Sequence, residues 1–134
     1  MSTQTMTQID NARAVQAATA YIAAWNAHDA DGVRACFTVQ GVMRDPSYPA
    51  GISGAAIADS VRDVLQAFPD LRFELTRVAP IERGVAFEWR AKATHGGNKP
   101  INLVGCDVCE LQGEKIALLN GYFDRAAIME QTAA

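Results

Sequence analysis

The sequence predicts an α+β fold in which a cone-shaped, curved and mostly antiparallel sheet wraps around three N-terminal helices. Apolar residues recur at helical spacing up to about residue 68, and from residue 71 they alternate with polar residues as in strands. Helices followed by a meander of strands imply one sheet packed on a layer of helices. The strand 101–111 is apolar on both faces, so we expect it to be buried on both.

Length and composition predict one domain, 1–134, with loose tails at 1–7 and 126–134. A net charge of −3 gives no reason to expect nucleic acid as a partner, because binding it needs a basic patch. No apolar run approaches the ~20 residues that a membrane span needs, so no membrane contact is expected. The first residues lack the pattern of a signal peptide, which favours a cytoplasmic protein.

Two helices are expected before the first strand. Asp10 or a nearby threonine is expected to cap the first helix, which continues to about Ala27. Asp29 is a good N-cap for a second, short helix over about 30–37. The apolar stripe of the first helix contains Val15, Ala18, Ile22 and Trp25, with Tyr21 on or beside it.

A third helix and the strands follow. Residues 47–54 are rich in Gly, Pro and Ser and are expected to form a loop, in which Ser53 caps the third helix. Pro69 ends that helix. The expected strands are 39–45, 71–76, 85–94, 101–111 and 114–124.

Three polar residues stand where the pattern predicts a buried position. Tyr21 lies on the core side of the first helix, and Asp45 ends the first strand, because Pro46 cannot donate to a sheet. Asp107 is the only ionisable residue on its face of the strand 101–111, and no basic residue shares that face. A buried carboxyl group must pair with a cation, stay protonated with a raised pKa, or bind a ligand.

Together these residues supply what proton transfer from a carbon acid requires. An ionised carboxylate, Asp45, would remove a proton next to a carbonyl, while a phenol and a protonated Asp107 donate hydrogen bonds to the enolate oxygen. Tyr21 also fits a core tyrosine with its hydroxyl at the rim, and Asp45 fits ordinary Asp-Pro turn chemistry. Asp107 has no such local explanation, so we expect it to be protonated at neutral pH and close to Tyr21.

No metal site and no cofactor are expected. His28 and His95 are far apart, and neither has partners at ligand spacing. Glycine-rich nucleotide loops are absent. Cys106 and Cys109 form a C-x-x-C pair on a strand, where residues three apart point to opposite faces and cannot readily share a metal.

The sequence resembles the ketosteroid (steroid delta) isomerases and the wider SnoaL-like, nuclear transport factor 2-like superfamily over about residues 8–124. The residues that carry the resemblance are Tyr21 with the N-A-H-D after it, Phe37, Asp45-Pro46, Gly54, Asp107 and Gly113–Phe123. The resemblance implies that Asp45 is the base and that Tyr21 and Asp107 are the oxyanion donors, as in ketosteroid isomerase. One departure is Arg62, which stands where the isomerases carry a supporting tyrosine.

The expected function is cofactor-free, isomerase-like proton transfer on a small hydrophobic carbonyl compound in an apolar pocket. Two alternatives stay open: a SnoaL-like polyketide cyclase that closes a ring by aldol chemistry, and a non-catalytic small-ligand-binding dimeric module. An epoxide hydrolase of this fold would need an arginine and two aspartates around a water, and Arg90 is expected to face away from the pocket. The expected lining is Trp25, Phe37, Phe68, Phe87, Trp89, Leu103, Leu119 and Phe123.

A homodimer is also expected, through the outer face of the sheet. Val104, Cys106 and Val108 would otherwise expose an apolar stripe to water, and such stripes usually mark an interface. The resemblance implies the same contact.

Overall fold

The structure, a computed structural model, describes the backbone of residues 3–133 and the side chains of residues 11–133. The elements in chain order are α1 Thr3–Asn26, α2 Ala30–Ala35, β1 Phe37–Asp45, β2 Tyr48–Ser53, α3 Ala55–Ala67, β3 Arg72–Ile81, β4 Gly84–His95, β5 Lys99–Gln112, β6 Lys115–Phe123 and α4 Arg125–Thr132. One curved, open sheet of six strands has the order β2-β1-β6-β5-β4-β3. Only the β1–β6 pair is parallel among the described strands, so the predicted α+β class with a mostly antiparallel sheet is confirmed.

Helix α1 supplies much of the core through one face. The buried positions 14, 18, 21, 22 and 25 recur at helical spacing, which places Tyr21 against the sheet. Val15, expected on this face, is 42% exposed because it lies beside the stripe rather than on it. None of the described helices is long and apolar enough to span a membrane.

The expected start of the first helix is wrong. Residues 3–7 belong to α1 rather than to a loose tail, and Asp10 lies inside the helix. Neither Gly nor Pro occurs between Thr3 and Asn26, so nothing in this stretch breaks a helix. Residues 1 and 2 of the expected tail lie outside the described residues.

The expected loop at 47–54 contains an additional strand. Strand β2 pairs antiparallel with β1, with Val42 opposite Ser53 and Asp45 opposite Tyr48. It is an edge strand, where proline and glycine are tolerated, so its composition resembles that of a loop. Ser53 therefore belongs to β2, and the N-cap of α3 is Gly54, with φ 62 and no capping side chain. Asp29 does cap α2 as predicted, since its Oδ1 accepts a hydrogen bond from the Gly32 N–H at 2.9 Å.

The expected C-terminal tail at 126–134 is also wrong up to Thr132, because residues 125–132 form α4. Asp124 caps this helix, accepting hydrogen bonds from the N–H groups of Ala126 and Ala127 at 3.0 and 3.3 Å. The Gln131 side chain exchanges two hydrogen bonds with the Asn102 backbone, at 2.6 and 2.8 Å. These contacts hold α4 against the start of β5. Ala134 lies outside the described residues.

The sheet has one buried and one solvent-facing surface. Phe87 and Trp89 of β4 are buried and Arg90 between the strand's inward positions is exposed, which confirms the predicted alternation. On β5, Val104 is 62% exposed in the single chain, so burial of the outer face of this strand depends on the expected dimer. The described helices lie on the concave side, and none of the residues 11–133 covers the outer face around Val104.

Candidate active site

A cavity of about 410 Å³ lies between the concave face of the sheet and α1, α3 and α4. This volume is in the range of pockets that bind small organic molecules. The lining is predominantly apolar, and the predicted residues Tyr21, Asp45 and Asp107 all belong to it. The further lining residues are Ile22, Trp25, Ser47, Val64, Phe68, Leu71, Phe73, Trp89, Ala91, Lys92, Ala93, Ile101, Leu103, Gly121, Phe123, Arg125, Ile128 and Met129.

Tyr21 is a buried phenol at the floor of the cavity. The rings of Phe37 and Phe87 each lie 6.0 Å from its ring, at interplanar angles of 76° and 60°. Burial raises the pKa of Tyr21 well above its usual value, and the neighbouring Asp107 charge raises it further. The hydroxyl therefore stays protonated and serves as a hydrogen-bond donor.

Asp107 is a buried acid on β5, directly opposite Phe87 of β4 and Gly121 of β6. Burial raises the pKa of Asp107 to about 7, a hydrogen bond from the Trp89 indole opposes this rise, and the Asp45 charge adds to it. Among residues 11–133 no cationic side chain forms an ion pair with Asp107. A pKa near 7 allows Asp107 to hold a proton at neutral pH, and its protonation there stays a prediction.

Asp45 occupies the end of β1, where the chain turns towards β2. Its Oδ1 accepts hydrogen bonds from the N–H groups of Ser47 and Tyr48, at 2.7 and 3.2 Å. The turn role considered for this residue is therefore present, and the carboxylate also lines the cavity. Its Oδ2 has no hydrogen-bond partner among the described side chains and backbone groups, which leaves that oxygen for a ligand.

Gly121 separates the two carboxyl groups. A Cβ added at this position would lie 3.0 Å from Asp107 Oδ1 and 3.3 Å from Asp45 Cβ. The φ of Gly121 is not in the left-handed region, so the requirement here is for space rather than for an unusual backbone. Sequence reasoning missed this residue, although a glycine inside an apolar strand is a signal of close approach by another group.

Gly105 determines the position of Trp89. The two residues are opposite each other on β5 and β4, and a Cβ at Gly105 would lie 2.2 Å from Trp89 Cζ2. The indole therefore lies directly over Gly105, two residues along β5 from Asp107, where it reaches that carboxyl group. Trp89 contributes a hydrogen-bond donor to the site as well as an apolar wall.

Of the eight apolar residues expected to line the pocket, the structure places five in the lining of the cavity and three outside it. Trp25, Phe68, Trp89, Leu103 and Phe123 line the cavity. Phe37, Phe87 and Leu119 do not line it: all three are buried in the core, where the two phenylalanines pack against the ring of Tyr21.

Arg62 and Cys109 do not line the cavity. Arg62 is exposed and pairs with Asp31 and Asp59 at 2.7 and 3.2 Å. Burial strongly raises the pKa of the Cys109 thiol, which disfavours a nucleophilic thiolate. Within residues 11–133 no three His, Cys, Asp or Glu side chains are grouped so that they could hold a metal ion.

A model of the SnoaL-like domain matches residues 18–119 of the chain. No curated protein matches it in sequence. A protein of ketosteroid isomerase-like fold from Catenulispora acidiphila DSM 44928, in complex with trimethylamine, is similar in structure, with a TM-score of 0.79, 18% identity and coverage of 87% of this chain and 91% of that chain.

Two further similar structures are enzymes by their descriptions. An LEH-like epoxide hydrolase from M. tuberculosis has a TM-score of 0.70 and 22% identity over 90% of both chains. SalBIII, an epoxide hydrolase/cyclase-like enzyme of pyran ring formation in the polyether salinomycin, has a TM-score of 0.77 and 19% identity over 89% of this chain and 96% of that chain. At these identities the likeness shows the shared fold.

Proposed function

Because the chain belongs to the SnoaL-like domain family, we propose that it is a cofactor-free enzyme that transfers a proton on a hydrophobic carbonyl compound, as the ketosteroid isomerases do. One observation carries this proposal. Asp107, a buried acid whose pKa is raised to about 7, lines the same apolar cavity as Tyr21 and Asp45. Two carboxyl groups in different environments are the arrangement that divides acid and base roles within one site.

The proposed reaction starts with the substrate carbonyl between Tyr21 and protonated Asp107. Oδ2 of Asp45 removes a proton from the carbon next to the carbonyl, and the electron pair of that C–H bond forms the enolate. The two donors stabilise the negative charge on the enolate oxygen, which develops only as the reaction proceeds, so they lower the barrier. Asp45 then returns the proton to the same or another carbon. The apolar lining keeps water away from the charged intermediate.

Aldol ring closure, as in a polyketide cyclase, is the second candidate. The same enolate would attack a second carbonyl of the same molecule instead of being reprotonated. The observation that favours it is the cavity volume of about 410 Å³, with a lining that includes Phe68 and Met129 as well as the carboxyl groups and leaves room for a folded chain. A binding module would use the same cavity without turnover.

Proton exchange distinguishes catalysis from binding. The purified protein is incubated in D₂O with a panel of hydrophobic ketones, β,γ-unsaturated ketones and diketones, and deuterium at the α-carbon is followed by NMR. We expect wild type and Asp63→Asn, which changes an exposed aspartate of α3, to accelerate the exchange, and Asp45→Asn to have lost this acceleration. Equal exchange in all three proteins would contradict the role of Asp45. Ligand binding without exchange in the wild type would favour the binding module.

We also propose that the protein is a homodimer formed through the outer face of the sheet. Val104 and Tyr122 are 62% and 59% exposed there, and Cys106, opposite Tyr122, and Val108 are half-buried on the same face. A second copy would cover this apolar stripe by the same patch, as two-fold symmetry requires.

A further inference from the structure

Arg125 is a solvent-exposed cation that contributes to the lining of the cavity and lies beyond the end of β6, past Phe123. It is the first residue of α4 and follows Gly121 by four positions, through Phe123 and the helix cap Asp124. At about 3.3 Å per residue of extended chain, it lies at most about 13 Å from the cavity floor at Gly121. The lining beside this path is apolar and includes Leu103 and Ile101.

The charge of Arg125 is not compensated by another described residue. It forms no ion pair within residues 11–133. The nearest acid in sequence, Asp124, is engaged with the N–H groups of Ala126 and Ala127. Lys92 also contributes to the lining, but it occupies an outward position of β4 and lines a separate depression on the outer surface. Arg125 is therefore the cation best placed to meet a ligand in the cavity.

The Asp45 carboxylate repels an anionic group, whereas Arg125, beyond the end of β6, attracts one. A guanidinium binds a carboxylate through two parallel hydrogen bonds. We propose that the substrate is an amphiphilic keto acid whose carboxylate pairs with Arg125 while its ketone reaches Tyr21 and Asp107. The carboxylate thus sets which end of the molecule enters first. Because Arg125 lies at most about 13 Å from Gly121, the ketone and the carboxylate are separated by at most about ten bonds.

The role of the ketone rests on the proposed proton transfer, whereas the pairing of Arg125 with a carboxylate does not. A linear C10 keto acid with its ketone seven bonds from the carboxylate is compared with its methyl ester by calorimetric titration at low salt. We expect wild type to bind the acid about five- to tenfold more tightly than the ester, and this preference to shrink as salt is added. In Arg125→Gln the preference is lost while ester binding is retained.

The control is Arg90→Gln, which removes one positive charge from the outer face and should keep the preference. A change of the Arg125 Nε–H signal in NMR spectra on addition of the acid, but not of the ester, would locate the contact. Equal binding of acid and ester by wild type, binding of neither, or a preference that survives in Arg125→Gln would overturn the proposal. A preference for the acid without deuterium exchange at its α-carbons would instead leave the Arg125 pairing in place and contradict the proton transfer.

Discussion

Replacing Asp107 by asparagine should change how the stability of the protein depends on pH. The native pKa of Asp107 is about 7, compared with an ordinary value of 3.8 in an unfolded chain. Between these two pH values the native state holds a proton that the unfolded state has released, so the free energy of unfolding falls as pH rises from about 4 to about 7. The difference between the two pKa values corresponds to a decrease of about 4 kcal/mol in the free energy of unfolding. This decrease is complete once the pH is above the native pKa.

Asparagine has a similar shape and carries no charge at any pH. The free energy of unfolding of Asp107→Asn should therefore not fall as the pH rises through this range. We expect its free energy of unfolding to be close to that of wild type near pH 4 and to exceed it by up to about 4 kcal/mol near pH 8. Urea unfolding of both proteins at intervals between these pH values measures the difference. Asp63→Asn, which changes an exposed aspartate, is the matched control and should follow wild type at every pH.

Infrared difference spectra test the same group directly. The C=O band of a protonated acid should be present in wild type at pH 5, disappear around pH 7, and be absent from Asp107→Asn at both pH values. The hydrogen bond from Asp107 to the enolate oxygen should be lost in wild type as the pH rises through 7, because ionised Asp107 has no proton to donate. A constant stability difference between wild type and Asp107→Asn from pH 4 to pH 8, together with a band lost near pH 4, would refute the reasoning.

Three further changes test the site and the outer face. Asp45→Asn keeps an oxygen that accepts hydrogen bonds from the two turn amides, so its melting temperature should stay close to that of wild type. Its rate of α-proton exchange should fall by about 10² to 10⁴. Exchange at the wild-type rate would exclude Asp45 as the base. Gly121→Ala places a methyl group 3.0 Å from Asp107 Oδ1. This should lower the free energy of unfolding by about 1–3 kcal/mol in urea unfolding and shift the infrared titration of Asp107. An unchanged titration would show that Asp107 does not need the space that Gly121 leaves beside it. Val104→Glu should convert the proposed dimer to a monomer, as measured by light scattering. The control Val39→Glu changes a valine of β1 that is 84% exposed and should leave the dimer intact. A dimer that persists in Val104→Glu would place the interface elsewhere.

The sequence was sufficient for those features that depend on local periodicity. Alternation along residues 85–94 predicted the buried and exposed faces of β4, because successive side chains of any strand point to opposite sides. The same rule isolated Asp107 as the single ionisable residue of its strand face. Tyr21 was placed on the core side by helical spacing, and Asp45 was marked by the proline that follows it.

Other features were decided by contacts between residues distant in sequence. Strand β2 forms because the edge of β1 is available to pair with it, and α4 is held by its contacts with β5, so neither shows a strong local pattern. Gly121 and Gly105 have their roles because of what lies across the sheet from them, at Asp45 and Trp89. Phe87 and Trp89 share one face of β4, so alternation along the strand does not tell which of them lines the cavity. The curvature of the sheet decides that Trp89 does and Phe87 does not. Curvature and strand register are properties of the whole sheet, and they bring Arg125 and Asp107 into the lining of one cavity.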